Sequence, residues 1–446
     1  MAHRPLPAVL IAAALAAAGM AVAVAISFLP PSNWAWGIDL GRYYPAWARG
    51  TWLAIGAALL AMAALGWPAR SGGNGRPPLG LMLAWPAPLI GLVAGAMAGL
   101  IFHLARARTG LLGDGYQILV DLRQGNPATA RSTLYNVLEP MVVRLQRSGG
   151  VPTLTEAGLL STLVGALTVA IVVTMLVRRA RERSRPGGST AVMAALLLTG
   201  TWLQLFFGYV ECYAFLASAV LVFLVGALDR VEGRGSMAVP FAALVGAIAS
   251  HPFGLLLVPA FLVIASIGPA EGRVRRLAAW TGALVLLAGA GWFIASVWPK
   301  GADGRSPVEY LSPFRVLRQT RTLVMESTDI RDVMRLDSVF SWPQLADWFN
   351  HLWLTGAAAL PVLGALLFDA RGRRALVSPA ARVALVTTAA FALARLGMRT
   401  ILGPMRDWDL FAPVGIGLAA WAAFAAADWI EAEVGNDEER DIEHAP

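Results

Sequence analysis

The chain has 446 residues, 57% hydrophobic and 14% charged, with a mean hydropathy of +0.61 and a formal net charge of +8. Soluble globular domains carry about 25% charged residues, so this composition excludes an ordinary soluble protein and specifies one that crosses a membrane repeatedly. The basic excess does not read as nucleic-acid binding, because the arginines fall in short clusters between apolar runs, where cytoplasmic loops collect them, and no basic helix or aromatic-interleaved patch is present.

A membrane-crossing helix needs ~20 mostly apolar residues. The first apolar run, 7–29, follows His3 and Arg4 and exceeds the ~7–15 residue core of a signal peptide, so it is read as an uncleaved first span. Further spans are predicted at 51–67, 84–104, 156–177, 189–206, 211–228, 277–297, 346–368, 380–397 and 410–430. Residues 238–267 are apolar for too long to form one ordinary span and are broken by His251-Pro252. Proline interrupts the helix ladder and restricts the residue before it, so two short helices meeting at a tight turn are expected there.

Loop charge sets the orientation. "RRARERSRP" (178–186), "DRVEGR" (229–234), "EGRVRR" (271–276) and "ARGRR" (370–374) are assigned to the cytoplasm, which requires the turn at His251 and gives about twelve spans with both termini inside. The single cysteine, Cys212, excludes an intramolecular disulfide. In the first long outer loop, Leu134, Leu138, Met141 and Leu145 recur at helical spacing and predict a helix lying in the membrane interface. The acidic tail, 431–446, is expected to be disordered, cytoplasmic and without chemistry.

With this topology the unusual polar clusters gather on the outer face, although none of them set the orientation. Asp114 stands between two glycines in "LLGDGYQIL", which allows close backbone approach to its carboxylate; it also suits the cap of a helix beginning at Tyr116. Glu211 sits in "FGYVECY" between Tyr209 and Tyr213, tyrosines that suit an interfacial aromatic belt as well as a binding pocket. His251 is a candidate ligand or proton-transfer group, or a turn residue. "PMRDWDLFAP" brings Arg406 beside Asp407 and Asp409, a grouping able to hold both a phosphate and a cation, while acids there also complement a helix dipole. Arg399 is a further phosphate candidate. No Walker loop, dinucleotide glycine fingerprint or zinc spacing occurs.

The acid in the outer loop after a span, followed by interfacial segments and further spans, resembles the GT-C superfamily of integral membrane glycosyltransferases, in particular bacterial enzymes that use polyprenyl-phosphate mannose or arabinose. The resemblance implies an all-α, polytopic transmembrane helical bundle divided into two N-terminal spans (1–83), a catalytic module (84–297), an extracytoplasmic loop (298–345), C-terminal spans (346–430) and the tail (431–446). By the same resemblance Asp114 matches the family's first-loop acid and serves as general base, Arg406 and Arg399 bind the departing lipid phosphate, and Asp407 and Asp409 hold a divalent metal ion, Mg or Mn. Tyr116, Tyr209, Tyr213, Glu211 and His251 contact substrate. The implied partners are a polyprenyl-phosphate-linked sugar, a glycan, lipid or protein acceptor, and membrane lipids, with no nucleic acid; the implied location is the bacterial plasma (inner) membrane, with the site facing outward. An oligosaccharide ligase or polymerase and a lipid-sugar transporter or flippase are the alternatives.

Overall fold

The computed structural model describes residues 7–26, 46–64, 85–106, 120, 157–182, 188–210, 213–267, 272–274, 276–285, 342–397 and 411–443. Among them all regular structure is helical. In chain order the helices are α1 (Pro7–Ile26), α2 (Ala46–Ala64), α3 (Ala87–Leu104), α4 (Leu159–Glu182), α5 (Gly188–Leu198) with a 3₁₀ turn at Thr201–Phe206, and α6 (Tyr213–Val231). Then come α7 (Ala238–Ser250), a 3₁₀ turn at Pro252–Leu257, α8 (Val258–Ser266), a helical stretch over 276–285, α9 (Trp342–Gly356), α10 (Ala359–Phe368), α11 (Ala370–Ala375), α12 (Pro379–Gly397) and α13 (Ala412–Glu443).

Six of these helices are long and apolar enough to cross a membrane, seven if the bent pair α9 and α10 counts as one. The chain is therefore a multi-pass membrane protein. Several of the expected spans take other shapes among the described residues. The run 189–206 is interrupted at Gly200, whose backbone is extended before the 3₁₀ turn. The run 346–368 bends by 97° between α9 and α10, where Pro361 in the first turn of α10 suits a helix start and no helix interior. The interfacial helix expected in the first long loop lies outside the described residues.

Side-chain contacts sort the bundle into two ends. At the first, Arg179 near the end of α4 pairs with Glu232 beyond α6 (3.0 Å) and with Glu431 of α13 (2.8 Å). Asp369, before α11, accepts from Trp429 Nε1, and Ala8 N of α1 donates to Glu433. Trp280 lies 5.1 Å from Phe241 at the start of α7, which brings the 271–276 side of the chain to this end too. The described parts of the arginine-rich loops 178–186, 229–234 and 370–374, the approach to 271–276, the first turn of α1 and residues 431–433 of α13 thus lie toward one end of the bundle. The hairpin at His251 also forms as expected: Phe241 and Phe261 on its two arms stand 5.8 Å apart near that end, while His251 at the tip lies against Tyr213, the first residue of α6, at the opposite end.

The acidic tail departs from expectation. α13 continues as a helix to Glu443; at its start in the tail Glu431 supplies a counter-charge for Arg179 and accepts from Ser189 Oγ, and Glu433 accepts an N–H of the first turn of α1. Asp369 caps α11 by accepting from Gly372 N at 2.7 Å, and that bond is the main reason its carboxyl is held below the ordinary value.

Helices α3 and α4 pack through small residues. Gly91, Gly95 and Gly99 recur every fourth position on one face of α3, and a methyl at Gly95 would stand 2.6 Å from Ala166 O and 2.8 Å from Ala170 Cβ. The other face carries Leu92, Met97, Leu100 and Leu104, all exposed; in a bilayer these face lipid, and close backbone approach supplies the association. Gly95→Leu is expected to drive the pair apart and cost about 1–3 kcal/mol. Melting of the purified protein in detergent checks this, with Gly246→Ala, where an added methyl meets nothing within 4 Å, as the harmless control.

Candidate functional site

The end of the bundle opposite the arginine clusters holds a continuous run of rings and polar groups. It begins at Tyr213, 8% exposed, whose ring lies 5.4 Å from that of His251. Phe253 stands edge-on to His251 at 5.0 Å and 5.9 Å from Phe411. Phe411, one residue before α13, is the hub: His351 of α9 packs edge-on against it at 6.0 Å, and the Arg395 guanidinium of α12 sits 5.2 Å over its ring. His251, His351 and Arg395 are 6%, 1% and 2% exposed. Four polar side chains from α6, the hairpin tip, α9 and α12 are thus lined up in an apolar bundle, where such groups are costly and rarely incidental.

The hairpin fixes the position of His251. Its backbone is extended, which ends α7, and its Nδ1 accepts the N–H of Phe253 at 3.1 Å.

Residues flanking the other expected clusters come to the same end. Gly208 adopts φ +69°, and a methyl placed on it would lie 3.0 Å from Cβ of Arg106, two residues beyond α3. Gly158 before α4 closes on Gly208 equally tightly, and Thr162 donates to Phe206 O. Phe102 meets Phe206 at 5.9 Å and Phe207 at 4.9 Å. The end of α3, residues 207–210 with Tyr213, and Phe411 therefore share one end with His251.

Of the residues expected in a site, Tyr209, Tyr213 and His251 are described and buried at this end. Tyr213 and His251 are brought together; Tyr209 stands beside Gly208, nearer to α3. Asp114, Tyr116, Glu211, Arg399, Arg406, Asp407 and Asp409 lie outside the described residues. No group of three His, Cys, Asp or Glu suited to a metal ion occurs among the described residues, so the metal expectation rests on Asp407 and Asp409 alone. No family model, curated protein or solved structure matches the chain. The functional reading is carried by its own residues.

Sequence reasoning passed over His351, Arg395 and Phe411. The signal for the first two was a histidine and an arginine inside runs otherwise apolar enough to be spans; Phe411 carries no such mark and was absorbed into the last span. The network at the arginine-rich end was missed as well. There Arg179 holds Glu232 through Nε and Nη2, reaches Thr190 through Nη1, and is joined by Arg234, which pairs with Asp229 at 2.8 Å and with Glu232.

Proposed function

We propose that the protein is a membrane glycosyltransferase that moves a sugar from a polyprenyl-phosphate donor to an acceptor hydroxyl, with its site on the outer face of a bacterial plasma membrane. One observation carries this reading: Tyr213, His251 and Phe411, which flank or belong to the expected polar clusters, gather at one end of the bundle, away from the arginine-rich loops. Basic loops mark the cytoplasmic side, so that end faces outward.

In the proposed reaction the acceptor oxygen attacks the anomeric carbon, its proton passes to Asp114, and the bond from that carbon to the lipid phosphate oxygen breaks. The departing phosphate carries the negative charge, which Arg406 and Arg399 stabilise where they are already placed. His251, Tyr116, Tyr209, Tyr213 and Glu211 contact the substrate on the sugar side. A divalent ion on Asp407 and Asp409 would neutralise further phosphate charge. Twelve spans, with interfacial helices in the first outer loop, belong to the same proposal.

Purified protein given a labelled polyprenyl-phosphate sugar and a mixture of membrane glycan acceptors is expected to release polyprenyl phosphate in step with a glycosylated product. Donor that remains intact refutes the transferase. Equal turnover with and without a chelator removes the metal and leaves the rest.

A second reading, a lipid-sugar flippase, is favoured by one feature. The breaks at Gly200 and at Gly356–Ala358 face each other across a small hollow that Thr199, Thr201 and Thr355 also line, and interrupted helices often build transport sites. A flippase moves the donor across vesicles without consuming it, so the same labelled lipid separates the two.

A further inference from the structure

We infer that the connector between α10 and α12 is a docking surface for the phosphate headgroups of anionic membrane phospholipids. The inference rests on the chain being a multi-pass membrane protein and is independent of sugar transfer.

α11 fills this connector. Gly372, Ala375 and Leu376 are buried at spacings of three and four residues, which leaves Arg371, Arg373 and Arg374, all exposed, on the outer half of the short helix. Arg382, in the first turn of α12, is exposed too. Arg373 Nη1 donates to Leu367 O and Arg382 Nη2 to Val377 O, each at 3.1 Å, so each spends one of its five N–H donors on the connector itself. Against these four cations the sequence sets one acid, Asp369, alone between residues 348 and 406. Its carboxylate already accepts from Gly372 N and Trp429 Nε1. The arginines also have apolar company: Phe368 is 90% exposed, and Leu367 and Val377 are exposed with it.

That combination selects a lipid over a soluble anion. α12 is long and apolar enough to cross the membrane, so the connector that leads into it stands at the bilayer surface, on the arginine-rich side. There a guanidinium meets lipid phosphate while an aromatic ring beside it reaches the acyl boundary. The surface is also set in advance. Trp421 Nε1 donates to Leu376 O and Trp429 Nε1 to Asp369, both at 2.9 Å, which pins the connector to α13 at two points. A methyl on Gly372 would lie 2.5 Å from Leu366 O, so the chain turns flush against the end of α10. Little ordering is left for a headgroup to impose.

The test counts bound lipid. Delipidated full-length protein in a neutral detergent is titrated with phosphatidylglycerol or phosphatidylcholine, with inorganic phosphate as competitor, and read by native mass spectrometry. The wild type is expected to bind phosphatidylglycerol about tenfold or more tighter than phosphatidylcholine, with inorganic phosphate displacing little of it. Arg371→Gln combined with Arg374→Gln is expected to weaken phosphatidylglycerol about tenfold and leave phosphatidylcholine unchanged. Phe368→Ser keeps every charge and is expected to weaken both lipids. Arg178→Gln combined with Arg273→Gln removes the same charge from exposed positions outside the connector and is expected to leave binding nearly unchanged. Circular dichroism verifies that each variant is folded. Equal binding of the two lipids by the wild type overturns the inference, as does an Arg371→Gln, Arg374→Gln protein that binds like the wild type. A matching loss in the Arg178, Arg273 control assigns the preference to net charge and overturns the connector. Full displacement by inorganic phosphate at equal concentration, or Phe368→Ser without effect, assigns the arginines to a soluble anion and overturns the lipid.

Discussion

Asp114→Asn is expected to lower kcat for sugar transfer by about 10²–10⁴ while leaving the KM for the lipid donor nearly unchanged. Asparagine has nearly the shape of aspartate but cannot accept the acceptor's proton, so the loss falls on the chemical step. Arg106, against Gly208, places the root of this segment beside the site end of the bundle. Asp114 is eight positions further along, within a reach of about 27 Å when extended, enough for the carboxylate to reach the His251 end. Asp114→Glu is expected to keep partial activity, since it retains a base at altered reach. Initial rates over a donor series, with circular dichroism to verify folding, measure the effect; an Asp114→Asn protein as active as the wild type removes Asp114 from the reaction.

The largest loss of stability is expected from Arg179→Met. Arg179 is 1% exposed and holds Glu232 and Glu431 at once; without it both lose a shared buried counter-charge, and Arg234 is left to serve Glu232 and Asp229. Removing one partner of such a network costs about 3–5 kcal/mol, mostly through the charges left behind. Lysine at this position is expected to recover only part, since a single ammonium cannot replace the two-sided guanidinium. The cross-check is a double variant: adding Glu431→Gln to Arg179→Met removes one stranded charge and is expected to raise the melting temperature above that of the single variant. If Arg179→Met melts within about a degree of the wild type, the network contributes little to holding the bundle.

Charge and proline made part of the architecture readable. The grouping of the described residues of 178–186, 229–234 and 370–374 at one end followed from their arginines, and the turn at His251-Pro252 followed from a residue that cannot continue a helix. Hydropathy reports how apolar a run is and nothing about where its axis points. For that reason the 97° bend inside "LTGAAALPVLG" and the interruption at Gly200 were invisible as departures from straight spans. The tail misled for a different reason: its composition is that of a solvated segment, and what orders its first residues is an arginine 252 positions earlier in the chain. At the site, Tyr213 and His251 were readable as polar residues in apolar surroundings. Phe411 was not, because a phenylalanine at the mouth of a span looks like any other until its three neighbours are seen together.

The tie between Arg179 and Glu431 also has a temporal side. A ribosome delivers the cation of α4 long before the acid of α13, since N-terminal segments emerge and begin to fold first. Glu232 arrives 53 residues after Arg179 and Glu431 only after 252, and Glu433 then fastens the last helix to the opening turn of the first. Until that moment Arg179 has Glu232 and lacks its second carboxylate partner, and Ser189 Oγ and Ala8 N lack these acceptors. A chain released before residue 431 would leave α1, α4 and α5 without these bonds to the last helix.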